Sequence, residues 1–267
     1  MRRRTVSTGW PSTTNSALPG GVAPGRAYWL GRVGYLEAAR LQQALLSERQ
    51  AGRVPDVFLL LEHPPVITMG RGAHAEHVLA ARDTLARAGA TVWETTRGGD
   101  VTYHGPGQLV GYGIVDLRQR GRDVGRYLRD LEEALIRTLG EYGFAGSRRA
   151  GMTGAWVGER KVAAIGVRAE KWVTAHGFAL NVEPELAHFE WIVPCGIREY
   201  GVGSIASLLR ERDGLQARVP SLAEVAEVAR QHLGEVFGLD LRMGEPGELD
   251  ALAVHDPAPL GGVKQLF

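Results

Sequence analysis

Two short apolar segments separated by four residues constrain the fold of this chain more than any other feature. Residues 155–157 and 162–167 flank residues 158–161, and this spacing predicts a β-hairpin with a four-residue loop. Hairpins join antiparallel strands, whereas a regular alternation of strands and helices builds a parallel sheet. The chain therefore predicts an α/β (α+β) fold in which helices flank a mixed, largely antiparallel sheet.

Hydrophobic periodicity and capping residues predict the elements around this hairpin. Asp123 is the expected N-cap of one helix, and Ser221 and Glu224 form a capping box that opens another, which ends at Gly238. The helix that begins at Asp123 is predicted over residues 123–140. Two further helices are predicted over residues 36–49 and 77–88. Apolar or β-branched runs predict further strands over residues 57–61, 66–69, 92–96, 109–117 and 171–182.

Length, charge and cysteine content argue against several classes of protein. A chain of 267 residues is long enough for one large domain with a sizeable core. Its net charge of +1 argues against a general nucleic-acid binder, and no apolar run approaches the roughly 18 residues of a membrane span. A single cysteine excludes an internal disulfide bond, so nothing indicates an oxidising compartment. We expect a cytoplasmic protein that binds neither nucleic acid nor a membrane.

The two ends of the chain differ in composition from the middle. No acidic residue precedes Glu37, and Ser, Thr, Pro and Gly dominate residues 7–25. We predict a disordered extension over residues 1–26, with a mitochondrial transit peptide and an over-extended start as the alternatives. The predicted globular domain covers residues 27–247, and residues 248–267 are predicted to form a C-terminal tail.

A glycine-rich segment is the first candidate for chemistry, because residues 97–113 hold six glycines among seventeen residues. Glycine costs backbone entropy, so this density predicts either tight turns or close approach of the backbone to a ligand, with exposed N–H groups as donors. Arg97 and His104 lie towards opposite ends of the segment and are candidates for the lining of one cavity. Taken alone, His104 is more typical of a structural histidine.

Two residues with reactive side chains stand in unusual local settings. Cys195 lies between Pro194 and Gly196, and such a turn exposes the sulfur at a sharp bend, whereas a core cysteine more often lies within a helix or strand. Lys161 lies in the predicted hairpin loop and directly precedes a strand of small residues. A side chain at the start of such a strand is able to face a cleft instead of water. On local grounds, a buried cysteine and a solvated lysine remain the alternatives.

Three other patterns carry weaker signals. Residues 201–206 match a dinucleotide-binding pattern, but no clear strand precedes them, so we interpret them as a turn and a helix start. His74 and His77 have no third metal ligand at a known spacing, and we predict no metal site and no cofactor. The arginines between residues 118 and 126 are interpreted as a solvated face or as a docking patch for an acidic protein.

Four segments in a fixed order resemble one enzyme family. They cover residues 97–108 (R-G-G-x-x-T-x-H-G-P-G-Q), 158–166, 176–181 and 194–197. Together they resemble the octanoyltransferases, which are the lipoyl(octanoyl) transferases of lipoate biosynthesis. The resemblance extends over about residues 28–239 and is far more specific than any one of the segments.

The resemblance implies a fold, an activity, partners and a site. The fold is that of lipoate and biotin protein ligases. The activity moves an octanoyl group from octanoyl-acyl carrier protein to a specific lysine of the lipoyl domains of 2-oxoacid dehydrogenases or of the glycine-cleavage H protein. Cys195 is then the nucleophile that carries the acyl thioester, and Lys161 is its partner. The acyl pocket is implied to consist of three segments, namely Arg97, Gly98, Gly99, Asp100, Val101, Thr102, Tyr103 and His104, then Ala164, Ile165 and Gly166, then Gly177, Phe178 and Ala179.

The chemistry of such a transfer suits a cysteine paired with a lysine. Thioester exchange is nearly isoenergetic and thioester-to-amide transfer is downhill, so no ATP is needed. A free thiol with a pKa of about 8.5 is only about 3% thiolate at pH 7, and an ammonium within about 4–6 Å lowers such a pKa by roughly 1–3 pH units. We therefore expect Lys161 to favour the thiolate first and to accept a proton from the attacking lysine later.

Two other functions remain open on the sequence. An ATP-dependent lipoate or biotin protein ligase activates its acid as an adenylate and needs no cysteine. A non-catalytic relative would bind lipoyl domains without transferring an acyl group, although the presence of both Cys195 and Lys161 argues against it. ATP-independent transfer distinguishes the transferase from the ligase, and an acylation assay distinguishes it from the binder.

Overall fold

The computed structural model describes residues 22–193, 200–250 and 260–267. Within these residues the chain forms two β-sheets and five α-helices. The helices are α1 (Tyr35–Gln50), α2 (Arg82–Arg87), α3 (Val124–Glu141), α4 (Ile205–Asp213) and α5 (Leu222–Phe237). The strands are β1 (Ala23–Arg32), β2 (Asp56–Glu62), β3 (Val66–Met69), β4 (Thr91–Glu94), β5 (Val101–His104), β6 (Gln108–Ile114), β7 (Gly146–Arg149), β8 (Met152–Val157), β9 (Arg160–Glu170), β10 (Val173–Asn181), β11 (Gly201–Val202), β12 (Leu239–Met243) and β13 (Lys264–Gln265).

The larger sheet has the strand order β12-β1-β2-β6-β10-β9-β8-β7, with β11 paired to β9 beside this row. Strands β1 and β2, β1 and β12, and β9 and β11 run parallel. The pairs from β2 through β6, β10, β9 and β8 to β7 run antiparallel. The predicted mixed, largely antiparallel sheet is therefore confirmed.

A smaller sheet has the strand order β13-β4-β3-β5. Strands β3 and β4 run parallel. At the two edges, β5 pairs antiparallel with β3, and β13 pairs antiparallel with β4. The chain passes from β5 of the small sheet to β6 of the large one through Gly105, Pro106 and Gly107. Residues 264–265 lie in the predicted C-terminal tail and pair with β4, so this part of the tail belongs to the small sheet.

Strand β2 explains why residues 57–61 form a continuous apolar run. Every residue of β2 is buried, because α1 covers one face of the sheet while α3, α4 and α5 cover the other. Val57, Leu59 and Leu61 pack with the apolar face of α1, and Phe58 and Leu60 pack with α3 and α5. Burial on both faces removes the alternation that a half-exposed strand shows.

Local capping signals are confirmed at the helices that pack on this sheet. The Asp123 carboxylate accepts the N–H of Arg126 at 2.9 Å, and α3 begins at the next residue. Ser221 and Glu224 form the predicted capping box at the start of α5, and Gly238 ends the helix with a φ of 58°. These interactions span three residues or fewer and depend little on the rest of the fold.

The predicted four-residue loop of the central hairpin is wrong. Strand β8 ends at Val157 and β9 begins at Arg160, so the turn has two residues. Lys161 lies within β9, opposite Trp156, and Val202 of β11 pairs with it from the other side. Because β11 is remote in sequence, the local pattern did not show that the strand extends this far.

Further boundaries differ from the sequence prediction. Strand β1 begins at Ala23, within the extension expected to be disordered over residues 1–26, because it pairs with β12 and β2. The strand expected over residues 109–117 ends at Ile114. The helix expected over residues 77–88 begins only at Arg82, because the N–H groups of Leu79 and Ala80 donate to the Trp191 carbonyl at 2.8 and 3.2 Å and hold this stretch extended. The strand expected over residues 171–182 begins at Val173. Lys171 and Trp172 form its turn with positive φ values of 50° and 67°.

Candidate active site

A cleft of about 480 Å³ lies where the glycine-rich segment meets β9 and β10. The start of α3 and the first residues of β8 also line it, through Val124, Leu128 and Met152. The N–H of Gly98 donates to the Val167 carbonyl at 2.9 Å and so ties the glycine-rich segment to β9. The cleft therefore joins three of the four segments that the sequence singled out.

The structure brings most of the predicted site residues to this cleft. They are Lys161 together with Arg97, Gly98, Gly99, Asp100, Val101, Thr102, His104, Ala164, Ile165, Gly166, Gly177, Phe178 and Ala179. Cys195 and the whole turn that contains it lie outside the described residues.

Tyr103 is the predicted pocket residue that the structure does not bring to the cleft. Its ring is fully buried in the core beneath the small sheet, with Ile67 and Val101, and its hydroxyl bonds to Nδ1 of His188 at 2.8 Å. Strand β5 alternates its side chains, so Tyr103 points away from the face that holds Thr102 and His104. Assigning the whole motif to one wall of the pocket was therefore wrong at this position.

The glycines of the segment serve two different purposes. Gly98 and Gly99 line the cleft, and Gly99 adopts a φ of 83° that favours glycine. A Cβ on Gly105 would lie 1.9 Å from the Tyr103 hydroxyl, and one on Gly111 would lie 2.2 Å from the Phe178 ring. These two glycines make room for aromatic rings of the protein itself, a packing reason that glycine density alone did not reveal.

Lys161 is held at the cleft by its contacts along β8. Its stem lies against Gly154, where a Cβ would come within 2.8 Å of the Lys161 Cε. Its Nζ lies 5.5 Å from the centroid of the Trp156 ring, a distance at which the ring attracts a cation. The N–H of Gly154 in turn donates to the fully buried carboxylate of Glu132 at 3.0 Å. The lysine is therefore packed into the wall of the cleft and is not a solvated turn residue.

Arg97 brings a buried guanidinium to the cleft, since the residue is only 8% exposed. Its Nη2 donates to the Thr68 carbonyl at 2.6 Å, its Nε to the Thr68 hydroxyl at 3.2 Å, and its Nη1 to the Gly98 carbonyl at 3.1 Å. Gly166 allows this approach, because a Cβ there would lie 3.2 Å from the Arg97 Cδ. The arginine thus fixes the glycine-rich segment against the small sheet.

Two histidines line the same cleft in their neutral form. Burial, together with the charges of His63 and Arg97, lowers the pKa of His104 to about 3, although its hydrogen bond to Gln108 opposes the shift. Burial and then the charge of Arg97 lower the pKa of His176 to about 3. The His104 Nδ1–H donates to the side-chain oxygen Oε1 of Gln108 at 2.7 Å, because the Gln108 side-chain nitrogen donates to Oδ1 of Asn181 at 2.9 Å. His104 therefore offers the cleft a neutral imidazole.

Several cleft residues were not predicted. Tyr112 and Gln108 lie four residues apart in β6 and share one face, so strand alternation was a usable signal for Tyr112. Tyr35 of α1 and Thr68 of β3 come from distant elements, and nothing in their local sequence points to the site. The remaining unpredicted lining residues are Val124, Leu128, Gly151, Met152, Thr153, Ala163, Val167, His176, Asn181, Phe189 and Val202.

Apart from Val202, the residues of the weaker sequence signals do not line this cleft. Residues 201–206 form β11 and the start of α4, with Ser204 as the N-cap, as interpreted from the sequence. Arg118 and Arg120 pair with Asp116 and Asp56, which favours a structural role for this part of the basic patch. In residues 22–193, 200–250 and 260–267, no group of three or more His, Cys, Asp or Glu side chains is placed to hold a metal ion.

Solved structures share this fold. A lipoate-protein ligase A bound with ATP has a TM-score of 0.69 at 19% identity and covers 86% of this chain and 92% of its own. A biotin protein ligase from Leishmania major in complex with biotin has a TM-score of 0.50 at 13% identity and covers 85% and 78%. The predicted fold of lipoate and biotin protein ligases is therefore confirmed.

Sequence relatives define the class more narrowly. The family model of the lipoyl protein ligase A/B catalytic domain matches residues 34–234. The octanoyltransferase of Solibacter usitatus is 52% identical over 215 residues, which are 80% of this chain and 94% of that protein. The octanoyltransferase of Chloroflexus aurantiacus is 49% identical over 219 residues, which are 81% and 95%. The chain therefore belongs to the lipoyl protein ligase A/B catalytic domain family and, within it, to the octanoyltransferases.

This membership confirms the sequence resemblance and the prediction of an acyltransferase enzyme. The relatives match the chain over most of their own length, so the likeness extends well beyond the four motifs. No helix in the part of the chain that the structure describes has the length and apolar character needed to cross a membrane.

Proposed function

We propose that the protein transfers an octanoyl group from octanoyl-acyl carrier protein to a specific lysine of a lipoyl domain or of the glycine-cleavage H protein, through a thioester on Cys195. The observation that carries this proposal is the cleft itself, which gathers Lys161 and the predicted acyl-pocket segments around one apolar volume. The octanoyltransferase relatives support the same activity over an ATP-dependent ligase or a non-catalytic binder.

The described residues on both sides of Cys195 border the cleft. Phe189 lines it before the cysteine and Val202 lines it afterwards, where Val202 pairs with Lys161 itself. The N–H of Val193 donates to the His77 carbonyl at 2.8 Å, which ties this end of the segment to the neighbourhood of Asp100.

In the first half of the reaction, the Cys195 thiolate attacks the carbonyl carbon of the donor thioester. The new C–S bond to Cys195 forms and the C–S bond to the donor breaks. The departing donor sulfur takes a proton from the Lys161 ammonium and leaves as a thiol, so Lys161 becomes a neutral amine. The ammonium of Lys161 favours the attacking anion, because a positive charge close to a thiol stabilises its ionised form. Trp156 supports this role by attracting the ammonium from 5.5 Å away.

In the second half, the amine of the acceptor lysine attacks the acyl group on Cys195. A C–N bond forms and the C–S bond breaks, so Cys195 leaves as a thiolate. The proton released by the amine passes to Lys161, which acts as the general base in its neutral form. An amide is more stable than a thioester, so the transfer proceeds without ATP.

The cleft has the length that an octanoyl chain needs. It follows β9 from Lys161 to Val167, a distance of about 20 Å at a rise of about 3.3 Å per residue. An extended eight-carbon chain is about 9 Å long, since its C–C bonds of about 1.5 Å follow a zigzag. The cleft therefore has room for an extended octanoyl group between Lys161 and the end where Gly98 bonds to Val167.

The same proposal assigns partners, compartment and domain limits. The donor is octanoyl-acyl carrier protein, and the acceptors are the lipoyl domains of 2-oxoacid dehydrogenases and the glycine-cleavage H protein. We assign the reaction to the cytoplasm and to a single catalytic domain. Its predicted limits, residues 27–247, widen to include β1 from Ala23 and β13 at residues 264–265.

An ATP-free transfer assay tests the proposal. Purified protein is mixed with octanoyl-acyl carrier protein and an apo lipoyl domain, and the mass of the lipoyl domain is followed over time. We expect the domain to gain one octanoyl group in the presence of the wild-type protein and to stay unmodified with Cys195→Ala or Cys195→Ser. Turnover of Cys195→Ala at the wild-type rate would overturn the thioester mechanism.

A control separates the transferase from an ATP-dependent ligase. The same acceptor is incubated with octanoic acid and ATP instead of the acylated carrier protein. We expect no modification, because the proposed reaction has no adenylation step. Modification only under these conditions would assign the protein to the ligases.

A further inference from the structure

A short segment formed by residues 73–80, named here the strap, joins the two parts of the site. Its backbone holds the chain that leads to Cys195, since the His77 carbonyl accepts the Val193 N–H at 2.8 Å. The N–H groups of Leu79 and Ala80 donate to the Trp191 carbonyl at 2.8 and 3.2 Å, and Val78 forms a β-bridge with Ile192. The strap is thus paired with the last three described residues before the cysteine turn, through hydrogen bonds to Trp191 and Val193.

The strap is also bonded to the glycine-rich segment, through the side chain of His77. Its Nδ1 lies 2.6 Å from Oδ2 of Asp100, and the two side chains are 22% and 14% exposed. The other oxygen of Asp100 accepts the N–H of Val101 at 2.7 Å, which fixes the carboxylate in place. A hydrogen bond from an imidazole N–H to a carboxylate is short and strong because the acceptor is charged.

His77 therefore bonds to two different segments, to Val193 through its carbonyl and to Asp100 through its side chain. Asp100 itself lines the cleft. We propose that His77 is a positioning residue, which holds residues 191–193, just before the cysteine turn, in register with the acyl pocket by linking Val193 to Asp100. This inference depends on the proposed role of Cys195, because a register between the two parts matters only if the cysteine reacts with a group bound in the cleft.

A mutation at position 77 removes one of the two bonds of His77 and keeps the other. Any residue at position 77 keeps the carbonyl that receives the Val193 N–H, but only a side chain with a suitably placed N–H reaches Asp100. Truncation of the side chain therefore leaves the strap bonded to Val193 and removes its direct bond to Asp100. The backbone bonds of Gly70, Arg71 and Gly72 to the glycine-rich segment remain, so the change is confined to the link through position 77. Small displacements of a reacting group reduce rates steeply, by about 10²-fold for about 1 Å.

His74 provides a matched control. Its ring contacts the His77 ring at a centroid distance of 5.3 Å, but its side chain makes no hydrogen bond with the described residues. His74→Ala therefore removes a neighbouring imidazole of the same strap without breaking the link between Val193 and Asp100. We expect its rates to equal those of the wild-type protein.

The test is the single-turnover rate at which Cys195 becomes acylated, measured by rapid quenching and intact mass at several concentrations of octanoyl-acyl carrier protein. For His77→Ala we expect the maximal acylation rate to fall by roughly 10- to 100-fold. The donor concentration at half-maximal rate is expected to stay unchanged, because the donor still binds. In a double-mutant cycle, His77→Ala combined with Asp100→Ala is expected to be no slower than the slower single variant, because both changes break one contact.

A conservative variant guards against a general loss of structure. His77→Asn places an amide N–H where Nδ1 stood and is expected to restore most of the acylation rate, whereas a general packing defect would not be repaired in this way. Thermal unfolding is measured for each variant, and His77→Gln, whose amide lies one carbon further out, replaces His77→Ala if the latter does not fold.

Three results would overturn the positioning role while leaving the proposed function intact. These are wild-type acylation by His77→Ala, equally slow acylation by His77→Asn and His77→Ala, and additive effects in the cycle with Asp100→Ala. A wild-type protein that forms no thioester on Cys195 would instead overturn the proposed function and the positioning role with it.

Discussion

His63 gives the clearest link between burial in this fold and a measurable pH dependence. The residue follows β2 and is fully buried. Its Nδ1 lies 2.7 Å from the Val33 carbonyl and therefore donates, while its Nε2 accepts from the Tyr112 hydroxyl at 2.7 Å. Burial lowers the pKa of His63 from 6.5 to about 4, although the bond to Val33 opposes the shift. The folded protein thus keeps this imidazole neutral where the unfolded chain protonates it.

The size of the effect follows from the two pKa values. Because the folded pKa lies below the unfolded one, the unfolded chain binds the extra proton between pH 6.5 and pH 4. The free energy of unfolding then falls by about 1.4 kcal/mol for each pH unit on acidification, which amounts to about 3 kcal/mol over this window. The contribution is fully present above pH 6.5 and does not fall further below pH 4.

The perturbation is His63→Asn, whose side-chain N–H still reaches the Val33 carbonyl but does not titrate. Urea unfolding gives the free energy of unfolding of both proteins from pH 7.5 to pH 4.5. At pH 7.5 we expect the variant to be less stable by about 1–3 kcal/mol, because the Tyr112 hydroxyl loses its acceptor. On acidification the two curves are expected to converge, because the variant lacks the titration of His63. Removal of the His63 charge also relieves part of the lowering of the His104 pKa, which acts in the same direction.

Curves that stay parallel across this window would refute the reasoning, because they would mean that His63 binds its proton equally well in both states. The surface variant His74→Asn is the control, and its difference from the wild-type curve is expected to stay small and constant.

Three further changes test the cleft. Lys161→Arg keeps a positive charge but removes the base, so we expect turnover to fall strongly, and an unchanged dependence of the rate on pH would contradict the base role. Gly154→Ala is expected to lower kcat by at least about tenfold, because the new Cβ would lie 2.3 Å from the Ala163 carbonyl oxygen and 2.8 Å from the Lys161 Cε. Gly177→Ala is expected to lower the free energy of unfolding by more than about 2 kcal/mol in urea, because its Cβ would lie 2.2 Å from the Gly111 carbonyl oxygen.

Elements set by local interactions were predictable from the sequence. The start of α3 depends on the Asp123 side chain, and the start of α5 depends on a capping box within three residues. The buried run of β2 was recognisable because no polar residue interrupts positions 57–61. Such features depend on neighbouring residues, and the sequence contains all of the information that they need.

Elements set by remote partners were not predictable in the same way. Lys161 lies in a strand because β11 pairs with it from a distant part of the chain. The strap is extended at Val78 and Leu79 because Trp191 and Ile192 pair with it, although its composition suits a helix. The four strands of the small sheet come from separate regions of the chain. One of these strands, β13, lies in the predicted tail.

The candidate site shows the same division. The motifs identified the segments, because their glycines and reactive residues are unusual in composition. The motifs did not show which residues of a strand face the cleft, so Tyr103 was assigned to the wrong side of β5. They also left out Tyr35 and Thr68, which reach the cleft only through the packing of α1 and β3.

The most direct test of the central claim is the intact mass of the protein after incubation with octanoyl-acyl carrier protein alone. We predict that the wild-type protein gains the mass of one octanoyl group, that peptide mapping places the group on Cys195, and that adding an apo lipoyl domain transfers it to the acceptor. An acyl group found on another residue, or one that the acceptor does not remove, would contradict the thioester mechanism.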